Sequence, residues 1–135
     1  MRLLLDTHII LWAIASPERL PKDIAEKLED PSTELGYSPI TLWEILILIL
    51  ILAEKGRIEL EMEAEKFIRA VLQKVPLREA PINTEVAIES RKVALPHQDP
   101  ADRFITATAI VYGLTLVTAD KRFMDTGGLK VIPIK

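Results

Sequence analysis

Leu3-Leu4-Leu5-Asp6-Thr7-His8 is the stretch that decides the fold. Three leucines followed by an acid read as a short buried strand that ends in a carboxylate. Burial alone gives a strand no reason to end in Asp, because an ionised side chain loses its hydration there. Three more acids stand in similar settings further along: Glu44, Asp102 and Asp120. The expectation is that the four meet at one edge of a sheet.

Working outward from residues 2–5 as the first strand, residues 7–15 form a mostly apolar helix broken by Ser16-Pro17. Residues 21–29 are a second helix, with Pro21 near its start. Residues 35–37 are a second strand. Ser38-Pro39 then starts a helix, Ser38 as N-cap and Pro39 first, which puts Glu44 in its second turn. From Ile45 the chain alternates Ile and Leu with no polar residue between, so periodicity gives no face. The cap before it and Glu54-Lys55-Gly56 after it favour helix. A helix apolar all round must be buried on every side, which suggests one face on the sheet and another on a second subunit. Residues 61–73 are a helix and 75–78 a third strand. Residues 83–94 are a helix capped by Asn83. Asp99-Pro100 opens the next helix, to Tyr112, with Asp102 third and Gly113 as its stop. Strands at 114–117 and 129–132 complete the chain. Strands alternating with helices imply an α/β fold, a mostly parallel sheet covered on both faces. Such sheets bind ligands beyond the carboxyl ends of their strands, where Asp6 and Asp120 sit.

The 135 residues fit one domain, 1–135, with no linker or repeat. Hydrophobic residues make up 49%, which excludes a disordered chain. With no cysteine, disulfides, thiolate zinc sites and cysteine nucleophiles are excluded, and a reducing cytoplasm suits the chain. Residues 2–6 do not resemble a signal peptide. The longest apolar run, residues 45–53, is too short to span a bilayer, so no membrane partner is expected. A net charge of −3 argues mildly against a nucleic-acid partner, although metal ions in an acidic pocket reverse the local sign.

Each acid alone has a plain structural reading. Asp6 can cap the helix after it, and Glu44 can lie on a surface. Asp102 at a third helical position complements the helix dipole, and Asp120 can cap a turn over 121–124. Four acids at four corresponding positions are harder to explain as independent caps. If they converge, each raises its neighbours' pKa, and a bound cation offsets the repulsion. Oxygen ligands select hard ions, Mg²⁺ or Mn²⁺. Such ions activate water and stabilise charge on an attacked phosphate, which points to phosphodiester cleavage.

Together, LLLDTH, the S-x-x-T-L-W-E-I set at residues 38–45, H-x-D-P-A-D-R-F-I at 97–105 and L-V-T-A-D at 116–120 resemble the PIN domain family, in particular VapC-like ribonuclease toxins of VapBC toxin–antitoxin pairs. The resemblance covers nearly the whole chain. It implies a three-layer α/β/α sandwich on a five-stranded parallel sheet in the order 3-2-1-4-5. It implies that Asp6, Glu44, Asp102 and Asp120 are the catalytic and metal-binding acids of an Mg²⁺- or Mn²⁺-dependent endoribonuclease. It also implies a homodimer and a cognate antitoxin. The chain departs from the family pattern at residues 46–52, longer by about one helical turn, ~4 residues. A one-turn insertion keeps the helical face and bears on the dimer or antitoxin surface rather than on the acids.

Supporting roles fall to Asp99, through water or simply as an N-cap, and to Thr118, which can bond a carboxylate or a metal-bound water or simply be a strand-end hydroxyl. Arg103 can orient Asp102, bind phosphate, or pair at the surface. His8 and His97 read as structural, and Trp12 and Trp43 as core. Lys55, Arg57, Lys121 and Arg122 can steer RNA, though single surface cations are usually just solvated. Two rivals stay open. An aspartyl-phosphate phosphatase also places Asp after its first strand, but normally has a second acid where this chain has His8. A binding module would keep inert acids and use the apolar 45–52 surface to hold a partner.

Overall fold

The computed structural model describes residues 1–56, 63–96 and 98–134. A five-stranded, wholly parallel sheet in the order β3-β2-β1-β4-β5 is the middle layer. Its strands are β1 (Arg2–Leu5), β2 (Glu34–Tyr37), β3 (Leu77–Glu79), β4 (Thr115–Thr118) and β5 (Val131–Pro133). The helices are α1 (Thr7–Ala15), α2 (Lys22–Glu29), α3 (Pro39–Glu54), α4 (Ala64–Lys74), α5 (Thr84–Ser90) and α6 (Pro100–Tyr112). Short 3₁₀ turns at Pro17–Arg19 and Lys121–Phe123 join them.

β1 is central, paired to β2 on one side and β4 on the other. Its leucines alternate between faces, as a pleated strand requires. Leu3 and Leu5 enter the core under α1–α4 with Ile9, Ile24, Ile45 and Ile68. Leu4 enters the second core under α5 and α6 with Val86, Ile105 and Leu116. All three are at most 1% exposed, each contributing roughly 1.5–3 kcal/mol of burial. This two-sided burial is the three-layer α/β/α arrangement. Ala101, Ala107 and Ala109 of α6 are all buried, and Ala107 and Ala109 belong to the second core with Leu4 and Leu116.

Both Pro-led helices start as their caps dictate. Ser38 Oγ accepts from Ile40 N at 3.2 Å, and Asp99 Oδ1 from Ala101 N at 3.0 Å. Strands β3, β4 and β5 each begin one or two residues later than the sequence suggests. The first amides are taken by caps and turns: Val75 N by Val71 O, Leu114 N by Ala109 O behind the left-handed Gly113, and Leu129 N by Thr126 O. α5 ends at Ser90, not at Ala94. Arg103 reaches this end, its Nε and Nη2 donating to the Ser90 and Val93 carbonyls, while the Arg91, Lys92 and Val93 amides turn back to the Ile88 and Glu89 carbonyls. Of the helix expected over 61–73, residues 61 and 62 lie outside the described residues, as do Arg57 and His97.

Trp43 is not core: it is 54% exposed. Thr41, Ile45 and Ile49, one turn apart, face inward, and Trp43 lies on the opposite side of α3 with Ile47, Leu50 and Ile51, all exposed. Trp12 is half-buried, with the Arg19 guanidinium 4.7 Å from its ring centroid. No described helix is long and apolar enough to cross a membrane.

Candidate metal-binding active site

β1 and β4 are neighbours, and the chain leaves both at the same end of the sheet. Asp6 follows β1 as N-cap of α1, and Asp120 follows β4 as N-cap of its 3₁₀ turn. α3 brings Glu44 to that end in its second turn, and α6 brings Asp102 in its first. All four line one open cleft of about 530 Å³, together with Thr7, His8, Trp12, Leu48, Ala119 and Arg122.

The Asp6 carboxylate is 8% exposed and held from both oxygens. Oδ1 accepts from Thr7 N at 2.8 Å, and Oδ2 accepts from the Thr118 hydroxyl at 2.6 Å. Thr118 is fully buried, and its oxygen also accepts from Asp120 N at 3.0 Å. One hydroxyl thus fixes the ends of both strands to each other. Glu44 Oε1 accepts from the Thr7 hydroxyl at 3.2 Å. Burial pushes the Glu44 carboxyl above its ordinary pKa, the nearby Asp6 charge pushes it further, and the Thr7 hydroxyl opposes them.

On the other side Arg122 gathers the acids. Its Nη2 lies 2.7 Å from Asp120 Oδ2 and 3.1 Å from Asp102 Oδ2, and its Nη1 lies 4.0 Å from Asp99. Its Nε donates to both Asp120 oxygens at 3.1 Å. These carboxylates hold Arg122 protonated, Asp120 first. Among the described residues, no three acidic or histidine side chains stand close enough to hold one ion. The hydroxyls hold one half of the acid set and Arg122 the other.

Asp6, Glu44, Asp102 and Asp120 therefore share a cleft, and Thr118 and Asp99 stand beside them. Arg103 does not join. It follows Asp102 on α6 but is turned to the opposite side, buried at 7% exposure against the Ser90 and Val93 carbonyls. Arg122 takes the place at the acids that the sequence offered to Arg103. Thr7, tying Glu44 to the Asp6 loop, was not anticipated, and its one signal was its position directly after Asp6.

The donor set fits a hard divalent cation. It consists of carboxylate and hydroxyl oxygens, with no thiol in the chain. A guanidinium already bridges Asp102 and Asp120, so that pair attracts positive charge.

The sequence model of the PIN domain matches residues 3–129. Ribonuclease VapC22 of Mycobacterium tuberculosis is 37% identical over 122 residues, covering 88% of this chain and 87% of that protein. The chain shares its fold with VapBC2 from Rickettsia felis, solved bound to a promoter DNA fragment, at a TM-score of 0.74 and 19% identity over 100% of both chains. It also shares it with FitAcB from Neisseria gonorrhoeae, at a TM-score of 0.62 and 21% identity over 98% of this chain and 96% of that one.

Proposed function

Because the chain belongs to the PIN domain family, we propose that it is a single-domain, metal-dependent endoribonuclease, the toxin of a toxin–antitoxin pair. The observation that carries the reading is the meeting of Asp6, Glu44, Asp102 and Asp120 in one cleft at the carboxyl end of the sheet. The 37% identity to a ribonuclease supplies the substrate class.

Asp6, Glu44, Asp102 and Asp120 would hold Mg²⁺ or Mn²⁺. When bound, such an ion supplies Lewis acidity at the phosphate and eases ionisation of the attacking water. The chain's own groups do the positioning. Thr118 and Thr7 N orient Asp6, and Thr7 Oγ1 orients Glu44. Asp99 fixes the first turn of α6, from which Asp102 projects. The half-buried Trp12 and the exposed His8 wall the cleft where a strand of RNA would lie.

The partner surfaces follow from α3. Its outer stripe of Trp43, Ile47, Leu50 and Ile51 is apolar and exposed, which suits a second copy of this chain. An antitoxin is the second partner, since the relatives of known structure were solved as toxin–antitoxin complexes. The deciding experiment is cleavage of single-stranded RNA by the purified chain with Mg²⁺, with EDTA, and by the Asp6→Asn variant. Cleavage only in the first case is expected. Cleavage in EDTA, or by Asp6→Asn at the wild-type rate, removes the proposal.

A further inference from the structure

We infer that Arg122 and a divalent cation are alternative occupants of the same carboxylates, and that the displaced arginine binds the RNA phosphate; this rests on the nuclease reading of the cleft. One nitrogen, Nη2, touches Asp102 Oδ2 at 3.1 Å and Asp120 Oδ2 at 2.7 Å. Those residues come from different elements, the start of α6 and the turn after β4. Joining two such carboxylates is what a bridging cation does. Two positive species cannot share those oxygens at contact distance without strong repulsion. So the ion and the guanidinium exclude each other.

Arg122 is built to leave without unfolding its surroundings. Its side chain is 55% exposed and sits on a three-residue turn. The turn is held separately, because Asp120 Oδ1 accepts from the Arg122 backbone N at 2.9 Å. Releasing the guanidinium leaves that bond in place and the residue tethered at the rim. Arg103 is the contrast: buried, and bonded to backbone carbonyls it cannot give up cheaply.

A destination for the released group follows from the lining. RNA brings a polyanion into a cleft crowded with carboxylates, and Arg122 is the one arginine or lysine among the described residues lining it. A guanidinium fork suits a phosphodiester, and a rim position suits a phosphate next to the one attacked.

The test uses metal-stripped full-length protein. Mn²⁺ uptake is followed by the paramagnetic resonance of the free ion, in wild type, Arg122→Gln and Lys121→Gln. Binding of a short phosphorothioate single-stranded RNA is followed by anisotropy at saturating Mn²⁺ across a salt series. Arg122→Gln should bind Mn²⁺ at least about fivefold tighter, the lower range of coupling between two linked ligands. It should also bind the RNA more weakly, with a salt slope smaller by about one. Lys121→Gln, which removes the same charge one residue away, should change Mn²⁺ affinity by about twofold or less. Arg122→Gln no tighter for Mn²⁺ than wild type overturns the exclusion and leaves the nuclease reading standing. An equal gain in Lys121→Gln also overturns it, because the effect is then one of net charge. An unchanged RNA salt slope overturns the phosphate role. No Mn²⁺ uptake by any of the three proteins overturns this inference and the nuclease reading together.

Discussion

The two ends of the sheet carry charge in opposite ways. Where the strands begin, Arg2 Nε donates to Glu34 at 3.0 Å and Nη1 to the Tyr112 carbonyl, with both charged side chains 54% exposed. A small cleft of about 220 Å³ runs from there along the sheet to Arg78 and Glu79, the last residues of β3, and its lining holds Arg2, Arg78, Glu34 and Glu79, two charges of each sign. Where the strands end, Asp6, Glu44, Asp102 and Asp120 face Arg122. Asp6 and Asp102 are buried. Both ends are polar, but only one is unbalanced. A balanced end is complete within the chain. An end with four acids and one arginine keeps an excess of negative charge, which favours a positively charged ligand there, as the proposed function requires.

The comparison breaks most visibly if charge is neutralised at each end in turn. Asp102→Asn should lower RNA cleavage by about 100-fold or more, roughly 2.7 kcal/mol of transition-state stabilisation. Glu34→Gln, removing the Arg2 partner at the far end, should stay within about twofold. Equal losses from the two, in a gel-based cleavage assay, would show that the ends do not differ in function. Metal sharpens the same contrast. Mg²⁺ or Mn²⁺ at about 100 times Kd should stabilise the wild type by about 2.7 kcal/mol and raise its melting temperature. Glu34→Gln should respond as wild type does, and Asp6→Asn little or not at all.

Smaller effects should come from the groups that only hold the acids. Thr118→Val removes the hydroxyl that serves both Asp6 Oδ2 and Asp120 N. Thr118 is fully buried, so the loss should cost about 1–3 kcal/mol in chemical denaturation. Breaking the exposed Arg2–Glu34 pair should cost about 0–1 kcal/mol. A Thr118→Val cost no larger than that of the surface pair would mean that the strand ends are held by something else.

How much of this was legible differs between elements. Leu3–Leu5 running into Asp6 announced a buried central strand, and Ser38-Pro39 and Asp99-Pro100 announced helix starts, because caps and prolines act on their immediate neighbours. The convergence of Asp6, Glu44, Asp102 and Asp120 on one cleft followed from strands that all point the same way. The two arginines were not legible. Adjacency suggested that Arg103 serves Asp102, but one residue on a helix is a rotation of about 100°, and it carries Arg103 into the second core. Arg122 looked solvated, yet a 3₁₀ turn capped by Asp120 folds residue 122 back over the acid two positions earlier. Trp43 misled for a related reason. A helix apolar on every side has no inward mark, so its outer stripe shows only once Thr41, Ile45 and Ile49 are seen facing inward.

The smallest expected effect is also a difference of sign between the two ends. Asp30, exposed before β2, has its carboxyl held below the ordinary range by the Ser32 amide, and then by the Ser32 hydroxyl. Its ionised form is favoured on folding, so its contribution to stability is present above the unfolded pKa and is lost as pH falls through the folded one. Glu44 is raised, by burial first and Asp6 second. Its contribution is therefore present below the unfolded pKa and is lost as pH rises through the folded one. In EDTA, Glu44→Gln should melt higher than wild type at neutral pH, while Asp30→Ala should melt lower. Both differences should shrink toward acid, where wild-type Glu44 and Asp30 are protonated too. With saturating Mn²⁺ the Glu44→Gln advantage should vanish or reverse, because the cation then offsets the repulsion that the substitution relieved, and Asp30→Ala should be unaffected. A Glu44→Gln variant that melts below wild type at neutral pH without metal would show that the acid cleft, like the other end of the sheet, is already balanced by the chain itself.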